Sequence, residues 1–204
     1  MEAIVIFGGT FDPPHIKHFW ILESLVNTHW INKVMIVPAK QNPDKKWIPL
    51  FEFDIRIKML QETVRQFGEG NQNFNKLIFD TYFNNQPTSS YIVDYIKNNC
   101  ASNIKDIWVY IPINYYEWTN SKDLISAADN FVSVVHKNDI FDSTRYLDIT
   151  SSKSKRFLII RPEFGVANIS STTIRKYISN RKADKIEQGI LCSFVLTHCK
   201  NKFI

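Results

Sequence analysis

The sequence predicts an α/β fold: a doubly wound, mostly parallel sheet with helices on both faces and a C-terminal helical segment. Apolar, strand-like runs alternate with helical apolar spacing along the 204 residues. The later strand-like runs are β-branched and nearly continuous, which is typical of strands covered on both faces. The first run, residues 3–7, leads through two adjacent glycines into a helical pattern, which indicates a tight strand-to-helix turn.

Length and composition favour a single domain spanning residues 1–204. A chain of this length can bury a substantial core, and contents of 44% hydrophobic and 22% charged residues are ordinary for folded proteins. The net charge of +5 suits an anionic ligand, and it suits weak non-specific nucleic-acid binding equally well.

The cysteines and the N-terminus favour an intracellular protein. Cys100, Cys192 and Cys199 lack the spacing of a metal site and are expected to be reduced thiols, the last two packed in the final helix. Neither a signal peptide nor an apolar run of membrane-spanning length is visible. We expect a cytoplasmic location, and a nuclear one is compatible with the same features.

The first strand-to-helix turn, residues 8–18, is the first candidate site. Two prolines pre-set the backbone there, so the helix is expected to begin at about Pro14 and to carry His15 and His18 on one face of its first turn. Unpaired N–H groups and the helix dipole at this end favour an anion. A bound phosphate group is the expectation, and a plain turn with solvent-facing histidines is the alternative.

The other elements follow in regular alternation. A strand at residues 33–37 completes a strand–helix–strand unit, whose natural form is a right-handed crossover between parallel strands. Helical apolar spacing returns at residues 51–67, and three hydroxyl residues at 88–90 precede another helical pattern. Further strands are predicted at residues 76–79, 106–111, 131–135 and 156–160.

Ligands of such sheets bind beyond the carboxyl ends of the strands, and several side chains are expected near that edge. Lys45 lies in a loop with three lysines, for which a solvated charged loop is an equal interpretation. Tyr91 at a helix entry can meet a ligand, although aromatic residues there are more often core. Trp118 can stack on a flat heterocycle or plug its loop against the core. Arg56 is expected to pair with Glu52 or another surface carboxylate.

A second helix start, residues 169–176, repeats the pattern of the first. Ser170 or Ser171 is the expected N-cap, which places Arg175 near the positive end of the helix dipole. Hydroxyls, N–H groups and a guanidinium can clamp phosphate oxygens, and a serine-capped surface helix is the alternative. Together the two starts can hold a polyphosphate. The absence of GxxxxGK[ST] and GxGxxG disfavours a P-loop NTPase and a dehydrogenase.

These motifs resemble those of a known family. Residues 8–18 resemble the GGTFDPxHxGH signature of nucleotidylyltransferases, with Lys17 at the usual glycine, and residues 169–175 resemble the ISSTxxR motif. Three further segments are similar, in matching order, to the bacterial-type nicotinate mononucleotide adenylyltransferases; they are residues 42–45, 56–60 and 89–94.

The resemblance implies a Rossmann-like fold and a reaction in NAD biosynthesis. AMP would pass from ATP to nicotinate mononucleotide, with nicotinamide mononucleotide as a second acceptor, and pyrophosphate would leave. Mg²⁺ would accompany ATP, without a metal site of the protein's own. The expected partners are these small molecules, with no membrane and no specific nucleic acid, and a homo-oligomer is compatible with the sequence.

The resemblance also implies the site residues. Catalytic roles are implied for His15, His18 and Arg175. Contacts to ATP are implied for Gly8, Gly9, Thr10, Phe11, His15, His18, Ser170, Ser171 and Arg175. The implied substrate-side residues are Lys45, Tyr91 and Trp118. Phosphopantetheine adenylyltransferase, or a relative with the same ATP half-site, is the nearest alternative, and a non-catalytic basic module that binds nucleotides or nucleic acid is another.

Overall fold

A parallel sheet forms the centre of the computed structural model, which describes residues 2–40, 48–80, 88–100, 105–112, 121–135, 144, 155–162, 169–186 and 189–202. Its six strands, among these residues, are β1 (Glu2–Gly9), β2 (Lys33–Pro38), β3 (Leu77–Phe79), β4 (Lys105–Tyr110), β5 (Asn130–Val134) and β6 (Arg156–Ile160). They lie in the order β3-β2-β1-β4-β5-β6, and all five pairings are parallel. The predicted doubly wound sheet is confirmed.

Six α-helices connect or cover the described strands. They are α1 (Ile16–Val26), α2 (Phe53–Phe67), α3 (Thr88–Cys100), α4 (Ser121–Ala127), α5 (Ser171–Ser179) and α6 (Ser193–Asn201). Short 3₁₀ turns lie at Gln72–Lys76 and Ala183–Lys185. The last two helices form the C-terminal helical segment that the sequence predicts.

The core lies on both faces of the sheet. Successive side chains of a strand point to opposite faces, and β1 shows the result. Val5 and Phe7 pack in a cluster with residues of α1 and α2, whereas Ile4 and Ile6 pack with residues of α3 and α4. Burial on both faces explains why the strand-like runs of the sequence are nearly continuous.

A third apolar cluster holds the C-terminal helices against α1 and α2. It joins Phe19 of α1 to Ile174 and Ile178 of α5 and to Val195 and Cys199 of α6. Burial raises the pKa of the Cys199 thiol to about 12, so this sulfur stays protonated at neutral pH. The cluster also brings the start of α5 close to the start of α1, since both helices contribute to it.

One helix boundary differs from the prediction in a way that matters for the site. Helix α1 begins at Ile16 rather than Pro14, and His15 is its N-cap in extended conformation, at φ −148° and ψ 173°. The extended backbone lets the His15 N–H donate to the His18 ring and lets the Ile16 N–H donate to the Ile190 carbonyl at 2.9 Å. Two helix-start N–H groups thus gain partners that a start at Pro14 would not provide.

Candidate active site

The candidate site lies at the carboxyl end of β1. This strand pairs with β2 on one side and with β4 on the other, so the strand order reverses there. In open α/β sheets, the connections that leave such a point run to opposite faces and leave a crevice between them. The loop of residues 10–15 and the start of α1 follow β1 directly at this place.

The two histidines of the first motif contact each other at the start of α1. The His15 backbone N–H donates to Nδ1 of His18 across 3.2 Å, and the two ring centroids lie 3.9 Å apart. The Phe11 and His18 rings also meet in a T-shaped contact, at a centroid distance of 5.2 Å. Because Nδ1 of His18 accepts this hydrogen bond, Nε2 is the ring nitrogen that can donate to a ligand. The pair is therefore held in one orientation by the backbone.

Burial sets the charge of His15. This residue is 4% exposed, and burial, with added contributions from the charges of His18 and Lys17, lowers its pKa well below the ordinary value of 6.5. His15 is thus neutral at pH 7. Its buried Nδ1 has no hydrogen-bond partner among the described residues. Buried polar atoms normally have partners, so the atom marks a place where a ligand or water can bind.

The glycine turn is packed tightly around an aromatic ring. Phe11 is buried and takes the left-handed conformation, with φ at +50°, which is uncommon for a residue other than glycine. A Cβ added to Gly9 would lie 2.7 Å from the Phe11 ring, so no larger residue fits at position 9 without a shift. Such conformations cluster at functional sites, and the loop geometry here depends on this glycine.

The start of α5 supplies hydroxyl groups and a cation. Ser170 is the N-cap, and its Oγ accepts from the Thr173 N–H at 3.1 Å. Ser171 instead donates its hydroxyl to the Pro13 carbonyl at 2.9 Å, which ties α5 to the loop before α1. The prediction of Ser170 or Ser171 as the N-cap is confirmed, and the structure separates their two tasks.

Arg175 makes a second link between the two helix starts. Its guanidinium donates to the Asp12 carbonyl and to Thr172 Oγ1, the latter at 2.9 Å, and Nη1 lies 3.8 Å from Asp12 Oδ2. Burial lowers the pKa of Arg175, and the Asp12 carboxylate counters that shift, so the side chain stays a cation. The two motifs, about 160 residues apart in sequence, thus meet in one site.

Asp12 is a site residue that the sequence reasoning did not assign. It is fully buried, and its two carboxylate oxygens accept from the backbone N–H groups of Leu50 and Phe51, at 2.8 and 3.0 Å. With Arg175 it therefore joins three chain segments. No local pattern points to this role, because both amides lie in a loop far along the chain.

For Arg56 the expectation of a surface ion pair is wrong. The side chain is 1% exposed and donates to backbone carbonyls in three chain segments, while Glu52 acts on it only through its charge. The spacing from Phe53 and Leu60 places Arg56 on the buried face of α2, and this was the signal available in the sequence. Its acceptors are the carbonyl oxygens of Thr10, Ala39, Lys40 and Phe51.

The remaining candidates are only partly described. Lys45 and Trp118 lie outside the described residues, and Tyr91 is placed only by its backbone, in the first turn of α3. An open depression of ≈ 370 Å³ borders the site on one face of α5. Its lining is polar or basic and consists of Thr172, Arg175, Lys176, Ser179 and Asn180.

The chemistry of the site suits an anion better than a protein-bound metal ion. Over the described ranges, no group of three His, Cys, Asp or Glu side chains is arranged to hold a metal. Two helix N-termini, a guanidinium and two histidine rings meet instead, and all of these favour phosphate oxygens. The helices of the described part of the chain include none that is long and apolar enough to cross a membrane.

Comparison with known proteins gives one family and a consistent set of relatives. The family model described as cytidylyltransferase-like matches residues 6–177. A probable nicotinate-nucleotide adenylyltransferase of Clostridium novyi (strain NT) is 27% identical over 189 residues, which cover 89% of this chain and 90% of the relative. A protein of the same name from Clostridium acetobutylicum is 26% identical over 187 residues, with coverages of 87% and 88%.

A solved structure shares the fold. The nicotinic acid mononucleotide adenylyltransferase of Plasmodium falciparum, complexed with NaAD, superposes with a TM-score of 0.65. The sequences are 18% identical, and the match covers 87% of this chain and 84% of that one. At this identity the likeness supports the Rossmann-like fold that the sequence motifs imply.

Proposed function

Because the chain belongs to the cytidylyltransferase-like family, we propose that it is an adenylyltransferase that transfers AMP from ATP to nicotinate mononucleotide. The products are nicotinate adenine dinucleotide and pyrophosphate, and the reaction belongs to NAD biosynthesis. Two relatives named as probable nicotinate-nucleotide adenylyltransferases, each matched over most of its length, support this choice of acceptor.

The observation that carries the proposal is the junction of two helix starts. Ser171 and Arg175 at the start of α5 donate to the carbonyls of Pro13 and Asp12, just before α1. One helix N-terminus can bind a single phosphate group, whereas two that face one crevice can hold a chain of phosphates. ATP is the substrate that this arrangement suits best.

We assign the ATP contacts accordingly. His15 and His18 are proposed as hydrogen-bond donors to the phosphate oxygens, and the backbone from Gly8 to Phe11 lines the path of the triphosphate. Ser170, Ser171 and Arg175 are proposed to hold the adenylate and the leaving pyrophosphate. The order of the contacts is supported by the positions of the two motifs after β1 and at the start of α5.

The chemical step needs alignment and charge neutralisation more than a protein base. A phosphate oxygen of the mononucleotide attacks the α-phosphorus of ATP and forms a new P–O bond. The bond from that phosphorus to the oxygen bridging to the β-phosphate breaks, and pyrophosphate leaves with the electron pair. The attacking phosphate has a second pKa of about 6 and is largely ionised at neutral pH. Positioned cations and N–H groups then stabilise the charge of the transition state.

We place Mg²⁺ on the phosphates of ATP. The charged groups described at the site are mainly cationic, and Asp12 is already engaged by two amides and Arg175. Mg²⁺ commonly keeps several waters and binds through substrate phosphates, and when bound with ATP it would neutralise charge on the leaving pyrophosphate. For the acceptor side we propose Lys45 as a phosphate contact and Tyr91 and Trp118 as contacts to the pyridine ring.

The test is product formation with a panel of acceptors. The purified protein is incubated with ATP and Mg²⁺ and, in separate reactions, with nicotinate mononucleotide, nicotinamide mononucleotide or phosphopantetheine, followed by chromatography of the products. We expect nicotinate adenine dinucleotide as the fastest product, with pyrophosphate in equal amount.

Reactions without ATP or without the protein serve as blanks. Absence of a dinucleotide from both pyridine acceptors contradicts the proposal. A product from phosphopantetheine alone would identify the protein instead as a phosphopantetheine adenylyltransferase, the alternative with the same ATP half-site. A faster reaction with nicotinamide mononucleotide than with nicotinate mononucleotide would leave the proposed adenylyl transfer in place and change the preferred acceptor.

A further inference from the structure

A buried arginine, Arg56, lies against the glycine turn and takes no part in the chemical step. Arg56 of α2 is 1% exposed, yet it carries a charge, and its pKa is lowered by burial and only partly restored by Asp12 and Glu52. A buried charge is destabilising unless its partners replace the lost water. An apolar residue at this position would leave four loop carbonyls without their donor, so the role of the arginine follows from what these carbonyls position.

The partners of Arg56 show what the charge does instead. Nη1 donates to the carbonyls of Thr10 and Ala39, Nη2 donates to the Lys40 carbonyl at 2.8 Å, and Nε donates to the Phe51 carbonyl at 3.0 Å. The first acceptor lies in the loop after β1, and the next two lie in the loop after β2. One rigid guanidinium thus holds two loops that leave the carboxyl ends of neighbouring strands.

The bond to Thr10 also fixes the direction of a backbone N–H group. In a trans peptide the C=O and the N–H point in opposite directions, and the Thr10–Phe11 bond is trans. With the Thr10 carbonyl turned toward Arg56, the Phe11 N–H must point away from it. Phe11 holds a left-handed conformation, which persists only where the surroundings enforce it.

We propose that Arg56 is a positioning residue: its guanidinium holds the loops after β1 and β2 in the conformation that receives the triphosphate of ATP. The inference rests on the proposed function, because it requires ATP to bind along the glycine turn. Arg56 itself does not need to touch ATP. It acts through the backbone of Thr10 and Phe11, and the hydrogen bond from the Ala39 N–H to the Gly9 carbonyl at 2.8 Å ties the loop after β2 to the end of β1.

The test compares Arg56→Lys with Arg65→Lys. Lysine keeps the positive charge but donates from a single nitrogen, which cannot reach carbonyls on three sides as the planar guanidinium does. Arg65 lies on the same helix with its side chain 73% exposed and paired with Glu62, so it is the matched control. Binding of α,β-methylene ATP with Mg²⁺ is measured by calorimetry, and turnover is measured with nicotinate mononucleotide.

For Arg56→Lys we expect the dissociation constant of the ATP analogue to rise about tenfold and kcat to fall about a hundredfold, as for a site displaced by about 1 Å. Arg65→Lys is expected to match the unaltered protein. An arginine that only stabilises the fold would lower the number of binding sites per chain and leave the dissociation constant unchanged. That result, or unchanged binding and turnover in a folded Arg56→Lys protein, overturns the inference.

A measurement on the unaltered protein covers the case in which Arg56→Lys does not fold. Exchange of the Arg56 guanidinium N–H groups, which are the donors that hold the loops, is followed by NMR without and with α,β-methylene ATP. We expect slow exchange in both states, because the loops are already held; fast exchange that becomes slow only with the analogue overturns the inference. Binding of the analogue does not involve the acceptor, so failure with every pyridine acceptor contradicts the proposed function alone. Failure to bind the analogue at all contradicts both.

Discussion

Two polar networks lie at opposite ends of the same sheet, and they are built differently. At the amino end, side chains bond to side chains: Asp106 accepts from Trp108, Asn130 and Arg156, and Arg156 also donates to Asn130 at 2.6 Å. At the carboxyl end, side chains bond mainly to backbone. Asp12 accepts from two loop amides, and Arg56 donates to four loop carbonyls.

The difference indicates that the amino-end network serves stability and the carboxyl-end network serves function. The amino-end network joins β4, β5 and β6, whose backbones are already joined by sheet pairing, so it adds stability without deciding a conformation. The carboxyl-end network joins the loops that follow β1 and β2. These loops lie beyond the strands, so the backbone hydrogen bonds of the sheet do little to hold them. Charges buried there select one loop conformation, and the proposed ATP site depends on it. Substitutions at the two ends should therefore separate turnover from the free energy of unfolding.

The largest effect is expected at His18 in the carboxyl-end site. We predict that His18→Ala lowers kcat by roughly 10²–10³-fold, as for the loss of one donor to a developing oxyanion. Its Nδ1 accepts from the His15 N–H, so the free energy of unfolding should fall by only about 1 kcal/mol, the value of a helix cap. Steady-state rates and thermal unfolding, recorded on the same preparation, measure the two effects.

His29→Ala is the matched control for this prediction. His29 is exposed in the turn after α1, away from the carboxyl end of the sheet, and its removal should change neither rate nor unfolding. Turnover of His18→Ala within a few-fold of the unaltered protein would show that His18 does not stabilise the transferred phosphate.

The second prediction concerns the amino end. Asn130→Ala removes the bonds of the Asn130 side chain to Asp106, Arg156 and the Ile107 carbonyl. We expect a loss of about 1–3 kcal/mol in unfolding free energy, because Asn130 is buried and its removal deprives three partners of a hydrogen bond. That loss corresponds to a fall in Tm of roughly 2–4 °C per kcal/mol in a chain of this size. Because no loop of the site is involved, kcat should stay within about twofold.

An exposed asparagine on α3 serves as the control for the amino end. Asn98→Ala should leave Tm unchanged or raise it slightly, since alanine has the higher helix propensity. A large fall in kcat for Asn130→Ala at a temperature where the protein is folded would contradict the claim that the amino-end network affects stability but not turnover.

The fold was predictable because its signals are local. Apolar runs mark the strands, and the run at Arg156–Ile160 matches β6 residue for residue. The helix N-cap at Ser170 also follows from local chemistry, since serine favours that position. The start of α1 was harder to predict from the sequence, because histidine is not among the preferred N-caps and the contact to the N-cap N–H here comes from another histidine ring.

The site was predictable only in part, for a physical reason. His15, His18, Ser170, Ser171 and Arg175 stand in short motifs, so their meeting in space could be inferred from the parallel topology. Asp12 and Arg56 act on backbone groups that lie up to 46 residues away in sequence. Backbone acceptors and donors exist at every position, so the sequence contains no complementary residue type that would reveal such a bond.

The smallest effect concerns the pH dependence of stability at the carboxyl end. The pKa of His15 is lowered in the folded protein by burial and by the charges of His18 and Lys17, whereas in the unfolded chain it lies near 6.5. On acidification the unfolded chain therefore takes up a proton first. The stability associated with neutral His15 is fully present above about pH 6.5 and is lost progressively as the pH falls below that value.

His15→Gln should reduce this sensitivity to acid, because glutamine does not titrate. We expect the fall in Tm between pH 7.5 and pH 5.5 to be smaller in His15→Gln than in the unaltered protein, while the control His29→Gln keeps the original fall. The buried Nδ1 of His15 has no partner among the described residues, so nothing described at that atom stabilises the charged ring. An equal fall in Tm for His15→Gln and the unaltered protein would mean that the folded site accepts a protonated His15. The phosphate contact assigned to this residue would then be that of an imidazolium cation rather than a neutral donor.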